Sequence, residues 1–305
     1  MNIGFIGLGD MGQLLASNLL RNLPETTLGV YNRTKSKTDG LVKDGAIWYD
    51  SPKTLADASD LVFLMVTDDQ ASEDIIFNHE FALTHATPSA DAFVIVNMST
   101  ITPDTSISIA KRLKEEHSSW NYVEAPVSGT LPHAKNAELI ILTAGNEGII
   151  SDLLAVFEVL GRRMDYIGAL GSALRMKLLI NGVLAVQTGI LAEAFQLAEQ
   201  NGLSAAQLSE IVNDSALGNV VSKAKGKMML DKSYPTLFRY QYIVKDLQYA
   251  MQSFANEQIS TSAPLLQSTL ELYQKGMKAL QPEGTTDINS DFSAIREVYA
   301  RLNSE

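Results

Sequence analysis

At 305 residues the chain has room for about two domains, and 46% hydrophobic against 19% charged residues describes a globular protein. A net charge of −11 gives no support for a nucleic-acid-binding face, so no nucleic-acid partner is expected. With no cysteine, disulfides, thiolate nucleophiles and cysteine-ligated metals are all excluded; the four histidines, His79, His85, His117 and His133, show no paired metal spacing, so no metal is expected.

In chain order, Asn2–Ile6 is short, apolar and suited to a strand. It follows the first residue with no basic leader, so no signal peptide is expected and a cytoplasmic location is the default. Gly7, Leu8, Gly9, Asp10, Met11 and Gly12 come next, and QLLASNLLRN follows with helical spacing. This is G-x-G-x-x-G between a strand and a helix, the setting in which it binds a dinucleotide. Gly7 suits the tight turn, Gly9 a close approach of backbone to pyrophosphate, and Gly12 the packing of helix on sheet. The helix N-terminus favours the phosphate charge.

A second strand, Thr27–Tyr31, ends in Asn32, Arg33 and Thr34. An NAD site usually has Asp or Glu here to hold the ribose 2′-hydroxyl. Asn32 carries no charge to repel a 2′-phosphate and Arg33 suits bidentate pairing with one, so NADP is expected, with NADPH preferred over NADH. Residues 61–66, Leu61 to Val66, form a continuous apolar run, the pattern of a buried parallel strand, and lead into Thr67, Asp68 and Asp69, where ligand-binding loops belong. Another strand over 93–97 leads to Ser99 and Thr100, and Pro103 starts a helix. Residues 122–125 precede Pro126-Val127-Ser128-Gly129-Thr130; a strand over 138–144, a helix over 151–160 and a segment over 163–167 close this half.

After Gly168 the pattern is helical throughout. Residues 172–201 form one long apolar stretch, with no charge between Leu178 and Ala192. The charge-free run falls short of the roughly 20 apolar residues of a membrane span and holds Asn181, Gln187 and Thr188, so a core helix is expected, buried on several sides, and no membrane. Lys177 enters its first turns and Asn181 follows four residues later on the same face. A lysine there either carries its charge out at the helix mouth or performs a task. Asn201-Gly202 reads as the helix end and Ser204 as the next N-cap. Further helices are expected over 219–230, 240–256, 264–278 and 291–302, with a polar loop over 281–289. The expected architecture is α/β: an N-terminal Rossmann domain over 1–168 and an all-helical domain over 169–305, joined by the long helix, with the substrate site at their interface.

The GLGDMG turn, the Ala125-Pro126-Val127-Ser128-Gly129 segment, Lys177 with Asn181 and the late Lys245-Asp246-Leu247 resemble, in order and spacing, the β-hydroxyacid dehydrogenase family over nearly the whole chain. Its members include 3-hydroxyisobutyrate dehydrogenase, tartronate semialdehyde reductase and the succinic/glyoxylic semialdehyde reductases. The resemblance implies cofactor binding by the first motif, a loop along the cofactor at Val66–Asp68, and Ser99 and Thr100 near the nicotinamide. It also implies a substrate loop at Ser128, Gly129 and Thr130, a catalytic Lys177 with Asn181 as its companion, Lys245 beside the cofactor, and Phe238 at an aromatic position. It further implies dimers through the helical domain, so a homodimer or homotetramer is expected. Three departures lie near the substrate loop: Thr130 stands where the family continues with glycine, His133-Ala134 and Ala137-Glu138-Leu139 where it shows Gly-Ala and Gly-Thr-Leu, and residues 168–173 hold a thinned glycine segment.

The chemistry suits those residues. Hydride transfer belongs to the cofactor; the protein supplies orientation and a proton. A lysine in hydrogen-bond reach acts as general acid in reduction and as base in reverse, and burial favours its neutral form. Asn181 suits a grip on the lysine or the substrate oxygen, and Ser128 with the Gly129 amide suits a carboxylate. The expected partner is therefore a small carboxylate or aldehyde substrate. His133 reads as pocket-lining or surface and the other histidines as surface. Two alternatives stand: an imine reductase of the same fold, whose members usually lack this lysine, and an NADP-binding sensor or scaffold whose catalysis has lapsed.

Overall fold

The computed structural model describes residues 1–78, 80–88, 92–256, 263–281 and 288–302; His79 and residues 282–287 of the expected loop lie outside them. The chain forms two compact units, Met1–Lys177 and Leu178–Glu305.

The first unit is a twisted sheet covered on both faces. Strands β1 (Asn2–Ile6), β2 (Thr27–Tyr31), β3 (Ile47–Trp48), β4 (Leu61–Leu64), β5 (Val94–Asn97) and β6 (Asn121–Glu124) run parallel in the order β3-β2-β1-β4-β5-β6. That is the Rossmann order, which reverses between β1 and β4 and opens a crevice at their carboxyl ends. β7 (Val127–Ser128) and β9 (Gly161–Gly168) pair with β8 (Leu139–Ala144), which runs antiparallel to β6. Side chains alternate between two cores: Phe5, Phe63, Val96 and Val123 enter one, Ile6, Val62, Leu64 and Ile95 the other. Both faces being covered, β4 and β5 are wholly buried, and β4 reads as an unbroken apolar run.

The helices of this unit are α1 (Asp10–Asn22), α2 (Asp39–Lys43), α3 (Pro52–Asp57), α4 (Asp69–Glu73), α5 (Pro103–Glu116), α6 (Leu131–Lys135), α7 (Glu147–Asp152) and α8 (Leu154–Glu158), followed by α9 (Ser172–Gln200), which continues into the second unit. The single helix expected over 151–160 is two. Asn146 starts the first early by accepting from Gly148 N and Ile149 N, and the chain breaks at Leu153, with φ −94° and ψ 2°. α2, α3, α6 and β3 escape the sequence pattern because each is too short to show a period.

The second unit is helical: α10 (Ala205–Asp214), α11 (Val220–Leu230), α12 (Tyr240–Asn256), α13 (Pro264–Leu280) and α14 (Ile295–Leu302). Gly202 at φ +72° ends α9, and the Ser204 hydroxyl caps α10 through Gln207 N. Phe195, Tyr240, Leu247, Tyr273 and Phe292 are fully buried in its core. A buried pair crosses it: Lys225 Nζ lies 2.8 Å from both oxygens of Asp291, which also accepts from Phe238 N and Ser293 N. Burial pushes the Lys225 amine below its ordinary value, and the Asp291 charge opposes that.

Helix α9 is buried on several sides, as expected, through Leu174, Lys177, Leu178, Asn181, Ala185 and Ala192. The helix is not covered all round: Met176, Leu179, Val183, Ile190 and Leu197 are 40–59% exposed. At spacings of three, four and seven residues they form one apolar stripe. The apolar circumference seen in the sequence exceeds what one copy of the chain buries. Taken whole, Ser172–Gln200 is long and apolar enough to cross a membrane, which the shorter charge-free run counted in the sequence is not, but half of its most apolar stretch is buried inside the protein.

Candidate active site

The glycine turn between β1 and α1 is set by contacts that exclude side chains. Gly7 has φ +96°, and a Cβ there would overlap Met65 O; a Cβ at Gly12 would overlap Gly7 O. Gly9 is different: nothing lies within 4 Å of where its Cβ would stand, so its backbone faces open space. Two glycines are needed for packing and one leaves room, the arrangement a pyrophosphate over a helix N-terminus requires. Leu8 is buried, Met11 half-buried, and Asp10 exposed in the first turn of α1.

Asn32 joins this turn to the end of β2. Its Oδ1 accepts from Leu8 N at 2.9 Å and its Nδ2 donates to Thr34 O at 2.9 Å. An aspartate could make only the first of these bonds. Arg33 and Thr34 are exposed. Burial pushes the Tyr31 phenol up, and the Arg33 guanidinium partly offsets this.

The loops after β4 and β5 are tied together. Val66 N donates to Ser99 Oγ at 2.8 Å, and Ser99 N donates to Asn97 Oδ1 at 3.0 Å. Ser99 is 1% exposed, so its hydroxyl serves this loop junction, whereas Thr100 is half-buried. Thr67 donates to Asp68, whose Oδ1 accepts from Ala71 N and caps α4; Asp69 accepts from Thr102 and Thr105. These loops and the glycine turn follow the carboxyl ends of adjacent, in-register strands, so they share one edge of the sheet.

Beyond β6, Val127–Ser128 pairs with Ile140 and Ile141 of β8. Gly129 has φ +149°, and a Cβ there would stand 2.5 Å from Leu139 Cδ2. His133 is half-buried and acts as a cap. Its Nδ1 lies 2.8 Å from Thr130 Oγ1 and accepts from Thr130 N at 3.2 Å, fixing the start of α6. Asn18 of α1 donates to Ala134 O at 2.7 Å and pins the same helix. α6 ends with Ala137 N donating to Ala134 O and Glu138 N to His133 O, a Schellman turn. Its left-handed position falls on Ala137, at φ 55°, where the family shows glycine. Two of the sequence departures are therefore a local cap and a strained turn. Of the other histidines, His85 is exposed; His117, expected at the surface, is half-buried because its ring stacks on Trp120 at 4.3 Å.

On α9, Lys177 is 8% exposed and Asn181 2%. Asn181 Nδ2 donates to Asp246 Oδ2 at 2.6 Å, and Asp246 is itself 2% exposed. Lys245 Nζ lies 3.2 Å from Asp246 Oδ1 without hydrogen-bond geometry, so charge alone holds that oxygen among the described residues. The Lys-Asp pair, which alone would read as a surface pair, is thus buried on its acidic side and spent on Asn181. Among the described residues no cluster of three or more His, Cys, Asp or Glu side chains is placed to hold a metal ion.

Residues 2–168 match the family described as the NAD binding domain of 6-phosphogluconate dehydrogenase, and residues 171–298 that described as NAD-binding of NADP-dependent 3-hydroxyisobutyrate dehydrogenase. Glyoxylate/succinic semialdehyde reductase 1 of Arabidopsis thaliana is 32% identical over 297 residues, 97% of this chain and 98% of that protein. The chain belongs to the β-hydroxyacid dehydrogenase family. It is an NAD(P)-dependent oxidoreductase by that membership. This family member also resembles the cytokine-like nuclear factor N-PAC of Xenopus tropicalis, at 30% identity over 97% of the chain but only 53% of that longer protein. The solved Mycobacterium tuberculosis 3-hydroxyisobutyrate dehydrogenase with L-serine shares the fold, with a TM-score of 0.81 at 24% identity over 97% of this chain and 98% of that one.

Ala137 yields a stability prediction. A non-glycine residue in the left-handed region costs roughly 1–2 kcal/mol, and a glycine returns part of that to unfolded-chain entropy. Ala137→Gly should raise the urea midpoint by an amount worth about 0.5–1 kcal/mol; an unchanged or lower midpoint would show that the turn carries no strain.

Proposed function

We propose that this enzyme transfers a hydride between NADP and a small hydroxyacid or its semialdehyde, with Lys177 as general acid in reduction and general base in oxidation. The observation that carries the reading is the burial of Lys177, 8% exposed, one helical turn from an Asn181 whose amide is anchored on buried Asp246. A lysine that only carries its charge out at a helix mouth has no need of such company. When bound, the cofactor supplies the hydride. Lys177 gives a proton to the carbonyl oxygen as that oxygen gains charge, and removes it in the reverse direction. Ser128 and the Gly129 amide hold the substrate carboxylate on a loop kept in shape by Thr130 and His133. The names of the relatives point to glyoxylate and succinic semialdehyde as first substrates to try. Three arms follow.

Lys177→Ala should lower kcat by about 10²–10⁴-fold on a panel of glyoxylate, succinic semialdehyde and 3-hydroxyisobutyrate, while NADPH still binds. A folded variant that keeps more than about a tenth of its turnover ends the assignment. A wild-type protein that binds NADPH but turns over nothing on the panel favours a sensor or scaffold.

NADP preference is supported by Asn32, whose amide is spent on Leu8 and Thr34, and by the exposed Arg33 guanidinium beside it. A charge-assisted contact to a phosphate is worth about 1.5–3 kcal/mol, so NADPH should bind roughly 10–150-fold tighter than NADH. Arg33→Ala should remove most of that difference by weakening NADPH alone. Equal dissociation constants for the two cofactors in the intact enzyme would sink this part.

The stripe on α9 supports a homodimer. Leu203, Ile211, Leu217 and Val220, all 60% exposed or more, add apolar surface after it. A second copy covers such surface with its own, which an isologous pair does at no cost in new sequence. Light scattering should report at least twice the 33.2 kDa chain mass; a monomer persisting at about micromolar concentration contradicts it.

A further inference from the structure

Helix α9 begins without a cap of its own. Gly171 precedes it and has no side chain; the Ser172 hydroxyl donates back to Ala169 O. The Ser172 amide donates to Ala169 O, and two further amides at this end are satisfied from the sheet. Glu124, the last residue of β6, turns its carboxylate onto that helix end: Oε1 accepts from Gly171 N at 2.5 Å and Oε2 from Leu174 N at 3.4 Å. Glu124 is 0% exposed. A carboxylate is costly to bury unless its oxygens are met by donors or charge. A helix N-terminus supplies both, through its free amides and its positive dipole end. Burial pushes the Glu124 carboxyl above the usual carboxylate range, against the pull of Ser106, Gly171, Leu174 and the Arg175 charge.

The carboxylate is also the end of a buried chain. Ser106 Oγ lies 2.6 Å from Glu124 Oε1 and 3.3 Å from Tyr122 Oη. One hydroxyl has one proton, and the shorter, charge-assisted contact takes it, leaving the phenol proton to serve the longer one. Asn97 Nδ2 donates to Tyr122 Oη at 3.0 Å. Asn97 Oδ1 holds Ser99 N, and Ser99 Oγ holds Val66 N in the loop after β4. An unbroken polar line therefore runs from that loop to the first turn of α9. Glu124 stands at its junction: it is four residues before Ser128 in the chain, and its second bond lands on Leu174, one turn before Lys177.

We propose that Glu124 is a positioning residue for the proton transfer: its buried carboxylate caps α9 and fixes where Lys177 stands relative to the Ser128 loop. This rests on the reading of Lys177 as the proton donor, and it goes beyond that reading in assigning a residue that touches neither substrate nor cofactor. Glu124→Gln keeps the side chain's size but has one acceptor oxygen, so one of the two helix amides loses its partner. A misplaced reacting group costs up to about 10²-fold, so kcat should fall between about 10- and 100-fold while the NADPH dissociation constant stays within about twofold.

Two measurements decide it. The first is amide hydrogen exchange over residues 171–174, which should quicken in Glu124→Gln and stay unchanged in the Val66 and glycine-turn loops. This arm needs no substrate, so it tests the cap even if the Lys177 reading fails. The second is a double-mutant cycle with Lys177→Ala, using the panel substrate turned over fastest. If Glu124 acts through the lysine, Glu124→Gln should lower kcat in the wild type and leave the residual rate of Lys177→Ala unchanged. Additive losses overturn the proposal, as does unchanged exchange at 171–174. A full loss on Lys177→Ala with none on Glu124→Gln overturns this proposal and leaves the proton-donor reading intact. Should Glu124→Gln fail to fold, Glu124→Asp carries the same cycle: it keeps charge and both oxygens on a shorter arm, and the same non-additivity is required of it.

Discussion

The turn between β1 and α1 rests on backbone meeting backbone. Gly7 lies against Met65 O and Gly12 against Gly7 O so closely that neither position has room for a methyl group. Close packing of this kind has no slack, since interiors are packed like crystals and a single extra carbon must displace something. It brings the start of α1 down onto the sheet, aims the helix amides at the crevice and leaves Gly9 as the open approach. β1 then lies between β2 and β4 at the switch point, and the loops after all three strands gather at one edge.

Around that edge the protein ties its loops together with part-buried polar bonds as well as apolar packing. Asn32 ties the glycine turn to the end of β2, Ser99 ties the loop after β4 to that after β5, and Asp69 ties α4 to the cap of α5. Such bonds fix direction, which apolar contacts do not, and each fails expensively if one partner is removed. The same device appears in the helical unit, where Asp291 gathers Lys225, Phe238 N and Ser293, and where Asp246 grips Asn181. Residues that a motif reading assigns directly to ligands are thus often engaged in holding their loops: Ser99, Asn32 and Asn181 each have a protein partner. The bonds explain why these residue types are needed without taking the ligand role away, since an amide or a hydroxyl has more than one bonding site.

The helix α9 carries two demands at once. One face supports Lys177 and Asn181 in burial, and another presents Leu179, Val183 and Ile190 to solvent. Beyond Asn181 the two faces look alike in sequence, because both are mainly apolar and only a neighbour decides which is covered. That is why a helix apolar nearly all round was expected to be buried on several sides, and why one chain leaves a stripe bare.

Local chemistry was legible from residues alone. The glycine spacing after an apolar strand, Asn32-Arg33 in place of an acid, the unbroken apolar run of β4, the end of α9 at Gly202 and the cap at Ser204 each follow from neighbours a few positions apart, and so appear as pattern. The lysine with an asparagine four residues on belongs to the same class, since helix geometry alone puts them on one face. What only the tertiary structure decided lies between residues distant in sequence. Glu124 meets Gly171 and Leu174 across about fifty positions, Asn181 meets Asp246 across sixty-five, and Lys225 meets Asp291 across sixty-six. No period marks such pairs, because a hydrogen bond needs proximity and direction and leaves no trace in composition. His133 shows the limit from the other side: its partner Thr130 is three residues away, yet only the backbone of α6 reveals that the imidazole closes a cap.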